Sequence, residues 1–190
     1  KAIPDEINAR GFKKAFVVTD PDLIKFNVTS KVTDILTEAG IDFDVYSDIK
    51  ANPTIENVKN GVDAFKKASA DCIIAVGGGS AIDLAKCVRL FANKHHPDYA
   101  PHFIAIPTTS GTGSEVTSFA VISDGENGKY PLSSDDMLPE EAILDEVLVK
   151  SVPASVTADT GMDVMTHAIE AYVSINNNEV SGALAEKAVE

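Results

Sequence analysis

The chain has 190 residues, of which 44% are hydrophobic and 24% charged, a composition typical of a globular protein rather than a disordered or fibrous one. Acidic residues outnumber basic ones by 29 to 16, and the formal net charge of −13 argues against nucleic acid or an anionic membrane as a partner. Cys72 and Cys87 lie in apolar segments, which predicts two reduced thiols in the core and a cytoplasmic location. The apolar runs are too short to span a membrane, and no signal peptide is recognisable.

Strand-like and helix-like segments alternate up to Pro107. Short, continuous apolar runs predict strands that are buried on both faces of a parallel sheet. The predicted strands are residues 14–20, 43–46, 72–76 and 103–106. Apolar residues at helical spacing predict the intervening helices, which are residues 28–39, 55–68 and 82–90. This alternation is typical of an α/β fold with a parallel sheet and flanking helices.

The pattern changes after Pro107. A loop rich in Thr, Ser and Gly is followed by two alternating segments that predict a small hairpin, by one short strand, and by a helical region from Ser155 onward. These segments are residues 108–114, 117–123, 129–132 and 142–145. We predict a domain boundary near Lys150, with an α/β domain over 1–150 and the beginning of an all-helical domain over 151–190. The last helical pattern reaches Glu190 without a cap, so we expect the chain to be a fragment.

Three glycines and a serine, Gly77 to Ser80, stand between a predicted buried strand and a predicted helix. Glycines allow the backbone to approach a phosphate closely, and the amides at a helix N-terminus carry partial positive charge. The alternative is a strand–helix turn that requires left-handed glycines and binds nothing. Ser80 and Asp83 have the spacing of a capping box, with Asp in place of Glu. The loop alone indicates a phosphate or nucleotide site and nothing more specific.

Asp20 ends the first predicted strand. A carboxylate at this position could accept hydrogen bonds from the ribose of an adenine dinucleotide and would repel a 2′-phosphate. An aspartate that caps the next turn is an equally good interpretation of the position alone.

Asp163 and His167 are four residues apart in a predicted helix, so both side chains lie on one face and could bind one divalent metal ion. Oxygen and nitrogen ligands suit iron, zinc and manganese equally well. The alternative is a hydrogen-bonded Asp–His pair on a solvated or interdomain face. His95 and His96, beside Pro97, are expected to be a solvated surface pair.

Several segments together resemble the iron-containing (group III) alcohol dehydrogenase family. The segments are residues 52–54, 77–86, 104–117, 129–131, 142–145 and 161–172. They include Gly-Gly-Gly-Ser-Ala-Ile-Asp-Leu-Ala-Lys at 77–86 and Ile-Pro-Thr-Thr-Ser-Gly-Thr-Gly-Ser-Glu at 106–115. The resemblance covers almost the whole chain, and it implies a Rossmann-like domain that binds a nicotinamide dinucleotide and a helical domain that binds the metal.

The resemblance also implies roles for particular residues. Asp20 matches the position that favours NAD over NADP, and Gly78, Gly79 and Ser80 match the pyrophosphate loop. The positions that match residues lining the cofactor cleft are Asn52, Thr108, Thr109, Thr112, Thr117 and Lys129. Asp163 and His167 match two ligands of a metal that is Fe²⁺ in this family, with zinc as an alternative. In the family, two further histidines complete that site.

The implied reaction is reversible hydride transfer between a primary alcohol or aldehyde and the nicotinamide, in an enzyme expected to be a homo-oligomer. With only two of the ligands at hand, we expect the chain by itself to be inactive. Two alternatives stay open from the sequence. One is a zinc polyol dehydrogenase of the glycerol dehydrogenase type, and the other is a nucleotide-binding module without catalysis.

Overall fold

The computed structural model describes residues 2–95, 101–124 and 128–190. The helices of this part are α1 (Ala2–Arg10), α2 (Pro21–Lys25), α3 (Ser30–Glu38), α4 (Ile55–Ala68), α5 (Gly79–His95), α6 (Glu146–Val149), α7 (Ala154–Val173) and α8 (Glu179–Val189). The strands are β1 (Lys14–Thr19), β2 (Asp42–Tyr46), β3 (Cys72–Gly77), β4 (His102–Pro107), β5 (Phe119–Ser123), β6 (Lys129–Ser133) and β7 (Glu141–Ala142). Short 3₁₀ turns occur at Ser114–Val116 and Asp135–Met137.

Five strands form one parallel sheet in the order β2–β1–β3–β4–β7, and β5 and β6 form an antiparallel hairpin. The predicted α/β class is therefore confirmed. From β1 the chain passes to β2 at one edge of the sheet, then returns to β3 on the other side of β1 and continues to β4. The order of the strands therefore reverses between β1 and β3. In doubly wound sheets a ligand crevice forms at this switch point, outside the carboxyl ends of the strands.

Hydrophobic clusters cover both faces of the sheet. One face packs Phe16, Ile73 and Phe103 against α4, α5 and the hairpin. The other face packs Val17 and Ile74 against α1 and α3. Strands β1, β3 and β4 are buried on both faces, so they read in the sequence as continuous apolar runs, whereas the edge strand β2 is largely exposed and contains Asp42 and Asp44.

Two helices at the amino end were not predicted. Helix α1 buries Ile3 and Ile7, whose spacing of four residues was the available signal. Helix α2 begins at Pro21 behind an Asp20 cap, a recognised start signal for a helix. The final strand is shorter than predicted, because Asp145 caps α6 with its side chain instead of extending β7.

The helical region contains α7 and α8, which pack against each other through small residues such as Ala168 and Ala185. Their start near Ser155 agrees with the predicted helical region, while the division into two domains stays a prediction. None of the helices in the described part of the chain is long and apolar enough to cross a membrane. The expected surface pair of histidines lies outside the described residues, since neither the side chain of His95 nor any part of His96 is described.

Candidate functional site

Close packing accounts for two of the three glycines, namely Gly77 at the end of β3 and Gly79 at the start of α5. A Cβ atom added to Gly77 would lie 2.5 Å from the Cβ of Ala81, and one added to Gly79 would lie 2.9 Å from Cγ2 of Thr112. The glycines with positive φ in the described chain are Gly11, Gly40, Gly113 and Gly128, so none belongs to this loop. The interpretation that the loop needs left-handed glycines is therefore wrong. Glycine is present because two polypeptide segments approach each other where a side chain would not fit.

The segment that approaches the glycine loop carries several of the predicted cofactor residues. The backbone amide of Thr108 donates to the carbonyl of Gly77 at 3.0 Å. Thr109 lies over Gly78, where an added Cβ would be 3.2 Å from its hydroxyl oxygen. Gly78 and Gly79 themselves stay half-buried, so their backbone remains accessible from the crevice.

Ser80 and Asn52 join the same site from another turn. The amide of Asn52 donates to Oγ of Ser80 at 3.4 Å, and Asn52 adopts a left-handed conformation with φ of 59°. Ser80 is not part of a capping box with Asp83, because the Asp83 carboxylate accepts from the Ser114 hydroxyl at 2.6 Å and from the amide of Val121 at 2.9 Å.

Helix α5 begins directly at the loop, at Gly79. Its first turn places backbone amides and the positive end of the helix dipole at the carboxyl edge of β3. A Cβ-free backbone in front of a helix of this length is a chemically suitable place for a phosphate group. The residues present therefore fit the pyrophosphate of a dinucleotide.

Asp20 lies beside this loop at the switch point of the sheet. It follows Thr19, which pairs with Val76 of β3. Its Oδ1 atom accepts from the amide of Asp22 at 2.7 Å, so Asp20 is the N-cap of α2. The capping interpretation is realised, and the half-exposed side chain stands at the edge where a ribose could be bound.

Thr117 and Lys129 occupy different surroundings. The hydroxyl of Thr117 accepts from Nζ of Lys86 at 3.1 Å. Lys129 is exposed at the start of β6, opposite Ser123 in the hairpin. The Ser123 hydroxyl donates to the carbonyl of Asn52 at 3.5 Å, so this end of the hairpin adjoins the Asn52 turn.

Sequence reasoning missed Lys86, a fully buried lysine on α5. Burial lowers its pKa to about 8, although nearby carboxylates act in the opposite direction. The signal was its position four residues after Ile82, which places a charged side chain on the apolar face of the helix. Both thiols, in contrast, are buried as expected, and burial raises the pKa of each to about 12.

Asp163 and His167 lie on one face of α7, as their spacing predicts. Nε2 of His167 is 3.7 Å from Oδ1 of Asp163, and the two side chains are 60% and 44% exposed. One carboxylate and one imidazole fit two positions around a transition metal ion. Within residues 2–95, 101–124 and 128–190, no group of three or more His, Cys, Asp or Glu side chains is placed to hold a metal.

One short segment connects the two candidate sites. Thr112 packs on Gly79, and the neighbouring Gly111 packs on α7, where a Cβ at Gly111 would lie 2.8 Å from the carbonyl oxygen of Thr160. Thr160 is one helical turn before Asp163. The loop therefore fixes the start of α7 against the glycine loop.

A doubly wound parallel sheet with a glycine loop at its switch point, followed by a helical region, is an architecture that nucleotide-binding α/β proteins share. The family model of iron-containing alcohol dehydrogenase matches residues 1–146, and the model of the C-terminal part of that family matches residues 157–190. The chain belongs to the iron-containing alcohol dehydrogenase family.

Known relatives agree with this assignment. The chain is 45% identical to 1-propanol dehydrogenase of Citrobacter freundii over 94% of its own length and 48% of that protein. It is 36% identical to lactaldehyde reductase of Escherichia coli K12, over all of the chain and 53% of the relative. The structure of sulfoacetaldehyde reductase from Bifidobacterium kashiwanohense in complex with NAD⁺ matches with a TM-score of 0.87 and 33% identity, over 98% of this chain and 53% of that one. The chain thus spans about half the length of these relatives.

The packing at Gly78 predicts that a branched side chain there weakens cofactor binding. In Gly78→Val, the added Cβ would press on the Thr109 hydroxyl, and the γ-methyl groups would enter the space proposed for the pyrophosphate. We expect NAD affinity, measured by calorimetry, to fall at least about tenfold, or ~1.4 kcal/mol. Gly161→Val is the control, because nothing lies within 4 Å of a Cβ at Gly161. Normal NAD binding by a Gly78→Val protein with native circular dichroism would contradict the phosphate role.

The metal pair predicts weak metal binding by this chain. A complete structural zinc site contributes roughly 10–16 kcal/mol in peptides, and two half-exposed ligands should provide far less. We expect little stoichiometric iron or zinc after dialysis, measured by elemental analysis beside a His167→Ala control. One tightly bound ion per chain that is lost in His167→Ala would show that two protein ligands suffice.

Proposed function

We propose that this chain supplies the cofactor cleft and two metal ligands of an NAD-dependent and iron-dependent alcohol dehydrogenase. The observation that carries the proposal is the cradle at Gly78 and Gly79, which two threonines close and which is joined through Gly111 to the helix of Asp163 and His167. The reaction is reversible hydride transfer between a small primary alcohol or aldehyde and the nicotinamide. The names of the relatives, which act on propanol, lactaldehyde and sulfoacetaldehyde, support a small alcohol or aldehyde as the substrate.

In this proposal, the backbone of Gly78, Gly79 and Ser80 binds the pyrophosphate, helped by the dipole of α5. Asp20 accepts hydrogen bonds from the adenosine ribose and disfavours a 2′-phosphate. Thr109 and Thr112 close the cleft over the loop. Thr108 holds the loop through its backbone, and Asn52, Thr117 and Lys129 complete the walls of the cleft.

Asp163 and His167 would hold Fe²⁺, or zinc, together with further ligands. A bound metal supplies Lewis acidity toward the substrate oxygen, and the nicotinamide accepts or returns the hydride. The contribution of this chain is to orient the cofactor on one side of the loop at residues 108–114 and the two ligands on the other. The site lies between the α/β domain (1–150) and the helical domain (151–190), as is common for ligand sites.

The remaining expectations follow from the same proposal. Two reduced, buried thiols are in keeping with a cytoplasmic enzyme. The net charge of −13 favours a small-molecule substrate over nucleic acid. A homo-oligomer is proposed for the active enzyme.

An activity assay tests the proposal. We expect a protein with this sequence, extended to the full length of the relatives, to form NADH from a short primary alcohol such as 1-propanol. Activity should be lost on chelation and restored by Fe²⁺, and the chain at its present length should be inactive. Activity restored by zinc alone, with glycerol as the preferred substrate, would favour the polyol dehydrogenase instead. Nucleotide binding without turnover of any alcohol would favour a binding module.

The role of Asp20 predicts a change in cofactor preference. Removing its negative charge in Asp20→Gly should narrow the gap between NAD and NADP affinity, mostly by improving NADP binding, because the repulsion of the 2′-phosphate is lost. Titration calorimetry with both cofactors measures the change. Asp22→Gly is the matched control, since Asp22 is an exposed carboxylate in the helix that Asp20 caps. An unchanged preference in Asp20→Gly would remove Asp20 from the cofactor site.

A further inference from the structure

We propose that Lys86 is a positioning residue for cofactor binding, because its buried ammonium group holds the segment from Ser114 to Phe119 and so keeps Thr112 packed on the glycine loop. The part of this inference that concerns NAD rests on the proposed function. The part that concerns the position of the segment does not.

The ammonium group of Lys86 has three donors and meets three acceptors. Nζ donates to Oγ of Ser114 at 2.9 Å, to Oγ1 of Thr117 at 3.1 Å and to the carbonyl oxygen of Phe119 at 2.7 Å. The side chain is fully buried, and the carboxylate of Asp83 lies 3.9 Å away on the same helix. A protonated lysine can donate three hydrogen bonds and accept none, so this arrangement uses its full capacity.

The hydrogen bonds around Lys86 have a fixed direction. The Ser114 hydroxyl donates its proton to Oδ1 of Asp83 at 2.6 Å, and therefore meets Lys86 with a lone pair. The Thr117 hydroxyl donates to the carbonyl of Ser114 at 3.5 Å and likewise accepts from Lys86. A neutral amine has two protons, so one of the three acceptors would lose its donor in a buried setting.

A short path leads from this cluster to the proposed pyrophosphate loop. The amide of Ser114 donates to Oγ1 of Thr112 at 3.3 Å, and Thr112 contacts Gly79. Lys86 and Gly79 are both on α5, at its second and first turns. Helix α5 thus has two roles in this proposal. Its amino end faces the phosphate, and its residue Lys86 holds the segment that keeps Thr112 packed on Gly79.

The charge of Lys86 should therefore control NAD affinity. Burial lowers its pKa to about 8. The other ionisable groups that face it are Asp83 and Cys87 on α5 and Glu115 on the neighbouring 3₁₀ turn. As the pH rises through about 8, Lys86 loses its proton, one acceptor loses its donor, and NAD affinity should fall.

As the pH rises above about 8, the contribution of Lys86 to the stability of the fold should increase, whereas NAD affinity falls. The ordinary pKa of lysine is 10.5, so between about pH 8 and pH 10.5 the unfolded chain binds more protons at this position than the folded chain. The contribution of Lys86 to the free energy of unfolding therefore rises with pH in this window. A purely structural lysine would give this stability trend without any matching loss of NAD affinity.

Calorimetric NAD titrations from pH 6.5 to pH 9.5 test the proposal with the chain itself, Lys86→Met and Lys31→Met. Methionine replaces the ammonium group but keeps an unbranched apolar side chain of similar length. Lys31 is the control, because it is exposed on α3, on the opposite face of the sheet. At pH 7 we expect Lys86→Met to bind NAD about tenfold more weakly than the unmodified chain, and to lose the decline in affinity with pH. Lys31→Met should match the unmodified chain throughout. Affinity within about twofold in Lys86→Met, or a decline that persists in it, would overturn the proposal.

Amide hydrogen exchange gives a readout that does not require NAD. In Lys86→Met we expect faster exchange confined to residues 108–119, with β1 and β3 unchanged. If Lys86→Met does not fold, Ser114→Ala replaces it, and this variant should show the same local effect to a smaller degree. If the unmodified chain binds no NAD, the proposed function fails, and the exchange comparison still decides the role of Lys86. Unchanged exchange at 108–119 in the folded variant would overturn that role.

Discussion

The close approach of two backbone segments at the carboxyl edge of the sheet is the constraint on which the candidate site depends. Gly77, Gly78 and Gly79 lack the Cβ atoms that would strike α5 and the threonine loop. Overpacking in such a place costs typically 1–3 kcal/mol, because backbone must move to relieve it. The movement would also be transmitted further, since Gly111 seats the same threonine loop on α7. The lack of side chains at these glycines thus sets both the shape of the proposed phosphate site and the position of the helix that carries Asp163 and His167.

The elements whose burial is uniform were predictable from the sequence, and those that depend on local caps or on distant partners were not. Strands β1 and β3 are covered on both faces, so their sequences are continuously apolar and unambiguous. Helix α2 has only five residues and no buried side chain, so apolar periodicity could not reveal it. The order of the strands has no local signal at all, because pairing joins residues far apart in the chain, such as Ala15 and Cys72.

The candidate site divides in the same way. The spacing of Asp163 and His167 predicts one helical face, because the periodicity of a helix is a local property. The glycines predicted a backbone open to a phosphate, which stays a prediction, while the close approach that the structure shows is to Ala81 and to the threonine loop. The alternative based on left-handed glycines failed, because the φ angles of these residues depend on how β3 enters α5. Lys86 escaped notice since a lysine in a helix is ordinarily solvated, and its acceptors lie about 30 residues further along the chain.

In a chain with a net charge of −13, the buried cation Lys86 also affects the electrostatic potential at the amino end of α5. Asp83 stands in the second turn of α5, where an unbalanced carboxylate would weaken the attraction of the helix amino end for a phosphate. The ammonium of Lys86 lies 3.9 Å from this carboxylate, and the Ser114 hydroxyl and the Val121 amide donate to its two oxygens. The desolvation of a charged lysine costs energy, which its lowered pKa reflects. That cost is offset by three hydrogen bonds and by the ion pair with Asp83, so the positive potential at the amino end of α5 is preserved for the pyrophosphate that we propose to bind there.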